Sequence, residues 1–133
     1  SFTVSETSKV ILDIDNGMSD LDAEIGLWRV DGTFLGENDD YAPYETVGAG
    51  GSIHSYDSFI QTYLDAGSYV VGVARYPSVG EFGGWSTDNS QVIATDQNYT
   101  LHVSVGPIPE PETYALMLAG LGLVGFATRR NKR

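Results

Sequence analysis

The chain contains no cysteine and, outside its last five positions, almost no basic residues. The lack of cysteine excludes disulfides, thiolate metal sites and a cysteine nucleophile. Residues 1–112 hold all eighteen acidic residues against three basic ones, Lys9, Arg29 and Arg75, for a formal net charge of −15. Because such a surface repels a phosphate backbone, we do not expect nucleic acid as a partner. It favours solubility in a crowded extracellular matrix, or attraction of divalent cations.

No helical hydrophobic period is present before residue 113. Short segments instead alternate apolar and polar residues with a period of two, as β-strands do. The predicted strands are 2–4, 10–15, 23–30, a return strand from Phe34, 57–64, 68–74 and 98–105. Asp31-Gly32 predicts a hairpin, and Asp65-Ala66-Gly67 predicts a second one that pairs 57–64 with 68–74. We read 41–56 and 77–96 as long loops. The pattern predicts an all-β, antiparallel, jelly-roll-like β-sandwich over residues 1–106.

The end of the chain has a different composition. Pro109-Glu110-Pro111 precedes an uncharged run from Thr113 to Thr128, and Arg129-Arg130-Asn131-Lys132-Arg133 follows it. A helix over 114–127 would span about 21 Å, less than the ~20 residues that cross a bilayer comfortably. Snorkelling of Arg129 and Arg130 compensates for part of the difference.

We therefore predict a linker over 107–113, a transmembrane helix over 114–128 and a cytoplasmic basic stop over 129–133. The four basic residues of this stop are Arg129, Arg130, Lys132 and Arg133. A buried core helix and a disordered tail are the alternatives. The run is apolar all round and leaves no polar face for water, which opposes a core helix, and such a segment would aggregate in water if it were disordered. Membrane lipid is the expected partner of this segment.

This order of features resembles the PEP-CTERM sorting signal of Gram-negative bacteria. The resemblance implies that an exosortase, a membrane cysteine transpeptidase-like enzyme, removes the tail near Pro109, Glu110 and Pro111. It also implies export, with the domain anchored on the periplasmic side of the inner membrane or released to the cell surface or extracellular matrix. The sequence shows no basic or apolar leader at Ser1, either because a signal was removed or because the sequence starts late. Since the resemblance implies export, we expect a cleaved Sec-type signal.

The region before the tail is also similar to a known domain. The segments that carry the similarity are Ser19-Asp-Leu-Asp22, Ile25-Gly-Leu27, Asp31-Gly32, Asn38-Asp-Asp40, Asp57-Ser58, Leu64-Asp-Ala-Gly-Ser-Tyr-Val-Val71 and Tyr99-Thr-Leu101. Their order resembles the bacterial pre-peptidase C-terminal (PPC) domain, most closely the PPC-like domains of PEP-CTERM proteins. The long segments 41–56 and 77–96 depart from that family, so a ligand surface built there does not carry over.

Acidic and amide side chains cluster in the predicted turns. They are Asp13, Asp15, Asp20, Asp22, Asn38, Asp39, Asp40 and Asp57. Calcium takes six to eight oxygen ligands of this kind, and some PPC domains bind calcium, so Asp20, Asp22, Asn38, Asp39, Asp40 and Asp57 are candidate Ca²⁺ ligands. The spacing lacks the glycine and glutamate positions of an EF-hand. Because Asp and Asn also favour turns by bonding their own backbone, turn formation remains the alternative.

Catalysis has little support in the sequence. The two histidines are His54 and His102, and no G-x-S-x-G elbow accompanies the many serines. We therefore expect no enzyme activity. Trp85, Tyr41 and Tyr44 lie in predicted loops and are candidates for exposed contacts with sugar or protein, whereas core packing accounts for Trp28 equally well.

These observations leave three hypotheses. The first is an exported, non-enzymatic β-sandwich with a structural or adhesive role at the cell surface or in the matrix. The second is an accessory subunit of a membrane protein complex that keeps its C-terminal helix uncleaved. The third is a module that binds extracellular polysaccharide.

Overall fold

The computed structural model describes residues 1–15, 20–40, 56–108 and 111–130. These residues form nine strands and one helix. In chain order the strands are β1 (Phe2–Val4), β2 (Ser8–Asp15), β3 (Ala23–Arg29), β4 (Phe34–Asn38), β5 (Phe59–Leu64), β6 (Gly67–Arg75), β7 (Gly80–Glu81), β8 (Gly84–Trp85) and β9 (Thr100–Pro107), and the helix is α1 (Pro111–Arg130).

Seven of the strands form two antiparallel sheets. One has the order β1-β6-β3-β4 and the other the order β5-β2-β9. Alternate side chains turn inward, so that Val10, Leu12 and Ile14 of β2 pack in one buried cluster with Ile25 and Leu27 of β3. These five side chains are at most 2% exposed. Burial of alternate apolar residues therefore holds the two sheets together, and the prediction of an antiparallel sandwich is confirmed.

A polar contact also connects the sheets at the start of β5. Ser58 is fully buried, and its hydroxyl donates to the carbonyl of Ala23 at 2.5 Å. The carbonyl of Ser58 accepts a hydrogen bond from the N–H of Ile14 at 3.0 Å. Since Ala23 and Ile14 belong to different sheets, Ser58 bonds to both, and its polar groups are satisfied inside the core.

The predicted Asp31-Gly32 hairpin is confirmed. It joins β3 to β4, with Trp28 opposite Phe34 and a register shift between Leu27 and Trp28. Gly32 adopts a φ of +92°, which suits glycine because a side chain there would be strained. Asp31 Oδ1 accepts from the N–H of Thr33 at 2.9 Å, and this bond lowers the pKa of the Asp31 carboxyl.

The second predicted hairpin is wrong. β5 pairs with β2 in the three-stranded sheet, whereas β6 pairs with β1 and β3 in the other. The short turn at Asp65 and Ala66 therefore carries the chain from one sheet to the other. Alternation predicts both strands correctly but does not identify their neighbours.

The prediction that residues 77–96 form one long loop is only partly correct. These residues contain the two-residue strands β7 and β8, which pair with each other, and Gln91 forms an isolated bridge with Arg75. This insertion covers the outer face of the four-stranded sheet, where the N–H of the Trp28 indole donates to the carbonyl of Glu81 at 2.8 Å. Trp28 is consequently only 3% exposed although it points away from the sandwich core.

Candidate functional site

The C-terminal segment is built around α1. Proline is favoured at the first helical position because its missing N–H would have no partner there, and α1 begins at Pro111. Glu112 lies in the first turn and Arg129 and Arg130 in the last, so these charges complement the helix dipole. The side chains from 112 to 130 are all exposed, including Leu116 at 74% and Leu123 at 72%. The helix therefore presents an apolar surface on every side.

The predicted transmembrane helix over 114–128 is not supported. Among the described residues, no helix combines the length and the apolar content that crossing a membrane requires. Charged residues at both ends of α1 confine its uncharged stretch to 113–128, and Gly120, Gly122 and Gly125 reduce the apolar content of that stretch.

Three of the residues predicted for sorting and membrane contact can be placed. Pro111 starts α1, and Arg129 and Arg130 end it. Pro109, Glu110, Lys132 and Arg133 lie outside the described residues. The last sandwich strand, β9, ends at Pro107, so only 108–110 separate the folded domain from α1. Ile108 in this segment is 42% exposed.

A second cluster of functional candidates lies beside β3 and β4, where acidic groups are close enough to interact. Burial raises the pKa of the Asp22 carboxyl, Asp39 adds to this effect and Arg75 opposes it. Burial, Asp39 and Asp22 likewise raise the pKa of Asp40, whose Oδ1 atom is buried and has no hydrogen-bond partner among the described residues. Asp22, Asp39 and Asp40 thus interact electrostatically in the folded protein.

The other candidate calcium ligands are used differently. Asn38 Oδ1 accepts from the N–H of Phe59 at 3.4 Å, and the Asp20 carbonyl accepts from Gln97 Nε2 at 3.2 Å. Asp57 is 1% exposed. Within the parts of the chain that the structure describes, no three His, Asp or Glu side chains are arranged to hold a metal ion. Calcium binding stays a prediction.

Two glutamates that the sequence analysis did not single out hold the 77–96 insertion in place. Glu24 Oε2 accepts from the N–H of Ser78 at 2.7 Å, and Glu37 Oε2 accepts from the N–H of Gly80 at 2.5 Å. Burial raises the pKa of Glu24 to about 7, the Ser78 N–H opposes this, and Glu37 adds to it. The sequence does indicate a special role for Glu24, because the alternation places this charged residue on the outer face of β3 between apolar neighbours.

The aromatic candidates are only partly placed. Trp85 is half-buried rather than exposed, and its ring lies 5.1 Å from that of Trp28, edge to face. Its indole N–H is buried without a partner among the described residues. A cleft of about 220 Å³ adjoins the pair, with Arg29, Val70 and Gly84 in its wall. Tyr41 and Tyr44 lie outside the described residues, so their contacts stay a prediction.

Of the two histidines, His102 lies among the described residues. His102 Nε2 lies 2.9 Å from Asp15 Oδ2 on the outer face of the three-stranded sheet, where both groups reach solvent. His54 lies outside the described residues. The absence of enzyme activity was an expectation from sequence and remains one.

Comparison with known proteins identifies the C-terminal segment. The family model described as the PEP-CTERM protein-sorting motif matches residues 107–133. No curated protein and no solved structure matches the chain. No family match confirms the PPC-like domain, so the PPC-like and jelly-roll-like character of the sandwich stays a prediction. The sorting motif is thus the feature on which a function can be based.

Proposed function

We propose that this protein is an exported exosortase substrate whose β-sandwich acts, without enzyme activity, as a structural or adhesive element at the cell surface or in the extracellular matrix. The PEP-CTERM match at 107–133 is the observation that carries the proposal. The match supports C-terminal processing and the export that processing requires. The role of the sandwich is inferred from its net charge and its lack of cysteine.

The position of the motif suits cleavage. All strands of the sandwich end by Pro107 and α1 starts at Pro111, so a cut near Glu110 divides the chain between two complete elements. The sandwich core draws on β1, β2, β3, β5 and β6, together with Leu21, Ile93 and the β9 residue Leu101. Removing α1 therefore leaves the core intact, and the released domain is expected to stay folded.

The helix has the chemistry of a membrane-associated segment before processing. Its apolar side chains are exposed on all sides, and such a surface is stabilised by lipid or by other apolar segments. Arg129 and Arg130 at its end attract anionic lipid headgroups. We infer that α1 keeps the substrate at the membrane where exosortase acts.

The acidic domain has properties that are suited to an extracellular protein. Its net charge of −15 over residues 1–112 opposes self-aggregation through like-charge repulsion. The absence of cysteine makes the fold independent of the redox state of its compartment. Both properties favour a stable, hydrated matrix component.

Co-expression of the full chain with an exosortase tests the proposal. We expect a loss of about 2.5 kDa, the mass of residues 111–133, only when the enzyme is present. Glu110→Gln should slow this loss, whereas Glu112→Gln, which removes the same charge two residues later, should not. A chain that stays full-length with active exosortase would contradict the proposal.

The exposed surface of α1 also favours a second candidate, an accessory subunit that keeps its helix. In that case the apolar side chains would pack against other membrane proteins rather than lipid alone. Full-length chain that co-purifies with membrane subunits in the native cell would support this role and argue against sorting.

A further inference from the structure

β9 has the properties of an interface strand. It pairs with β2 along its whole length, from Thr100 opposite Asp15 to Pro107 opposite Ser8, without a register shift. Nothing in the described part of the chain pairs with its other edge. An edge strand of eight residues presents unpaired backbone N–H and carbonyl groups to another strand, and natural proteins usually block such an edge.

The other sheet edges are blocked or short. β1 has three residues. β4 is interrupted by a register shift and carries Glu37, and β5 contacts β4 where the two sheets meet. β9 differs because it is long, regular and free of charged residues.

Two inward-turned valines of β9 remain exposed. Val103 and Val105 are each 40% exposed, whereas their register partners Leu12 and Val10 are completely buried. The apolar face of the three-stranded sheet is therefore incompletely covered at this edge. A further strand beside β9 would bury more of it.

The charge distribution identifies the partner. Residues 97–109 contain no Asp, Glu, Lys or Arg, although the domain around them is strongly acidic. Two copies that approach through any acidic surface repel each other, while two copies that approach through β9 bring together uncharged strands. Antiparallel pairing of a strand with its own copy is self-complementary around a two-fold axis. We propose that β9 pairs with β9 of a second copy of this chain, joining two three-stranded sheets into one of six strands.

A matched pair of substitutions tests the dimer. Ser104 on β9 and Gln61 on β5 both lie opposite Ile11, in one row on the outer face of the sheet, and both are exposed. Ser104→Glu places like charges at the interface, so we expect it to raise the dimer dissociation constant by roughly tenfold or more. Gln61→Glu adds the same charge at the opposite edge and should leave dimerisation unchanged.

The measurement is the protein mass of the detergent-solubilised full chain by light scattering, with circular dichroism to verify the fold of each variant. We expect two chains per particle for the wild type and Gln61→Glu, and one for Ser104→Glu. Because the chain has no cysteine, Ser104→Cys should also cross-link to its copy through a short bis-maleimide, which adds one thiol at each end, whereas Gln61→Cys should not. A monomeric wild type would overturn the proposal. A dimer that Ser104→Glu leaves intact would also overturn it, because the two chains would then associate through α1 or another surface.

Discussion

Trp28 and Trp85 meet edge to face, with ring centroids 5.1 Å apart, above the directly paired glycines Gly26 and Gly72. Phe34 adds a third ring 5.5 Å from Trp28. The two rings can lie directly on the sheet because neither glycine has a side chain to occupy that space. The insertion between β6 and β9 is thus fixed to the sandwich by a small apolar core of its own.

This packing predicts a large effect from a small substitution. In Gly72→Ala the new Cβ would lie 2.8 Å from Trp85 Nε1 and 2.9 Å from Trp28 Cζ3, closer than real contacts allow. We expect a loss of about 1–3 kcal/mol in the free energy of unfolding, the usual cost of overpacking, measured by urea denaturation. Gly67→Ala is the control, since the nearest atom to its added Cβ is in the Tyr69 ring at 3.5 Å, an ordinary van der Waals contact. Equal stability of the two variants would disprove the packing argument.

Glu24 predicts a pH dependence of stability. Its pKa rises from an ordinary 4.5 to about 7 in the folded protein, so between these pH values the folded state holds a proton that the unfolded state releases. The resulting stabilisation is fully present below pH 4.5 and is lost as the pH rises through about 7. Glu24→Gln should remove this loss and be on the order of 1–2 kcal/mol more stable than the wild type above pH 8.

Thermal unfolding between pH 4 and pH 9 measures the effect. Glu6→Gln, which changes an exposed glutamate, should follow the wild-type curve. If the wild type and Glu24→Gln run parallel across this range, the assignment to Glu24 is wrong.

The calcium hypothesis predicts a melting temperature that rises when Ca²⁺ binds. Asp22, Asp39 and Asp40 interact electrostatically, yet the described residues hold no group of three acidic or histidine side chains that could bind a metal ion. A real site at 100-fold excess of Ca²⁺ over its Kd would add about 2.7 kcal/mol to stability. Calorimetry in millimolar Ca²⁺ and in EDTA makes the comparison, with Mg²⁺ as the ionic control. A rise specific to Ca²⁺ that Asp39→Asn removes and Asp88→Asn keeps would support the calcium hypothesis, and an unchanged melting temperature would contradict it.

The sequence predicts the strands well but not how they pair. The alternation in β2, β3, β6 and β9 reflects burial of one face, and the Asp31-Gly32 turn reflects the need of Gly32 for a positive φ. Both are local properties, so both can be read from neighbouring residues. The crossing between β5 and β6 depends on which sheet each strand joins, and a turn of the same length serves a hairpin or a crossing equally well.

The candidate site also combines features that depend on neighbouring residues with contacts between residues far apart in the sequence. Pro111 at the start of α1 and the basic residues in its last turn follow from local helix chemistry. The bonds from Ser78 and Gly80 to Glu24 and Glu37 join residues 54 and 43 positions apart, and no local pattern encodes such pairs. The position of Trp85 in a predicted loop predicts exposure, whereas packing on Trp28 half-buries it.

The mass of the native protein tests the central claim most directly. Intact mass spectrometry of the protein from cell surface, matrix and membrane fractions would show where the mature chain ends. Sorting by exosortase predicts a surface or matrix species that ends near residue 111 and lacks α1. A full-length chain ending at Arg133 and found only in the membrane fraction would contradict it.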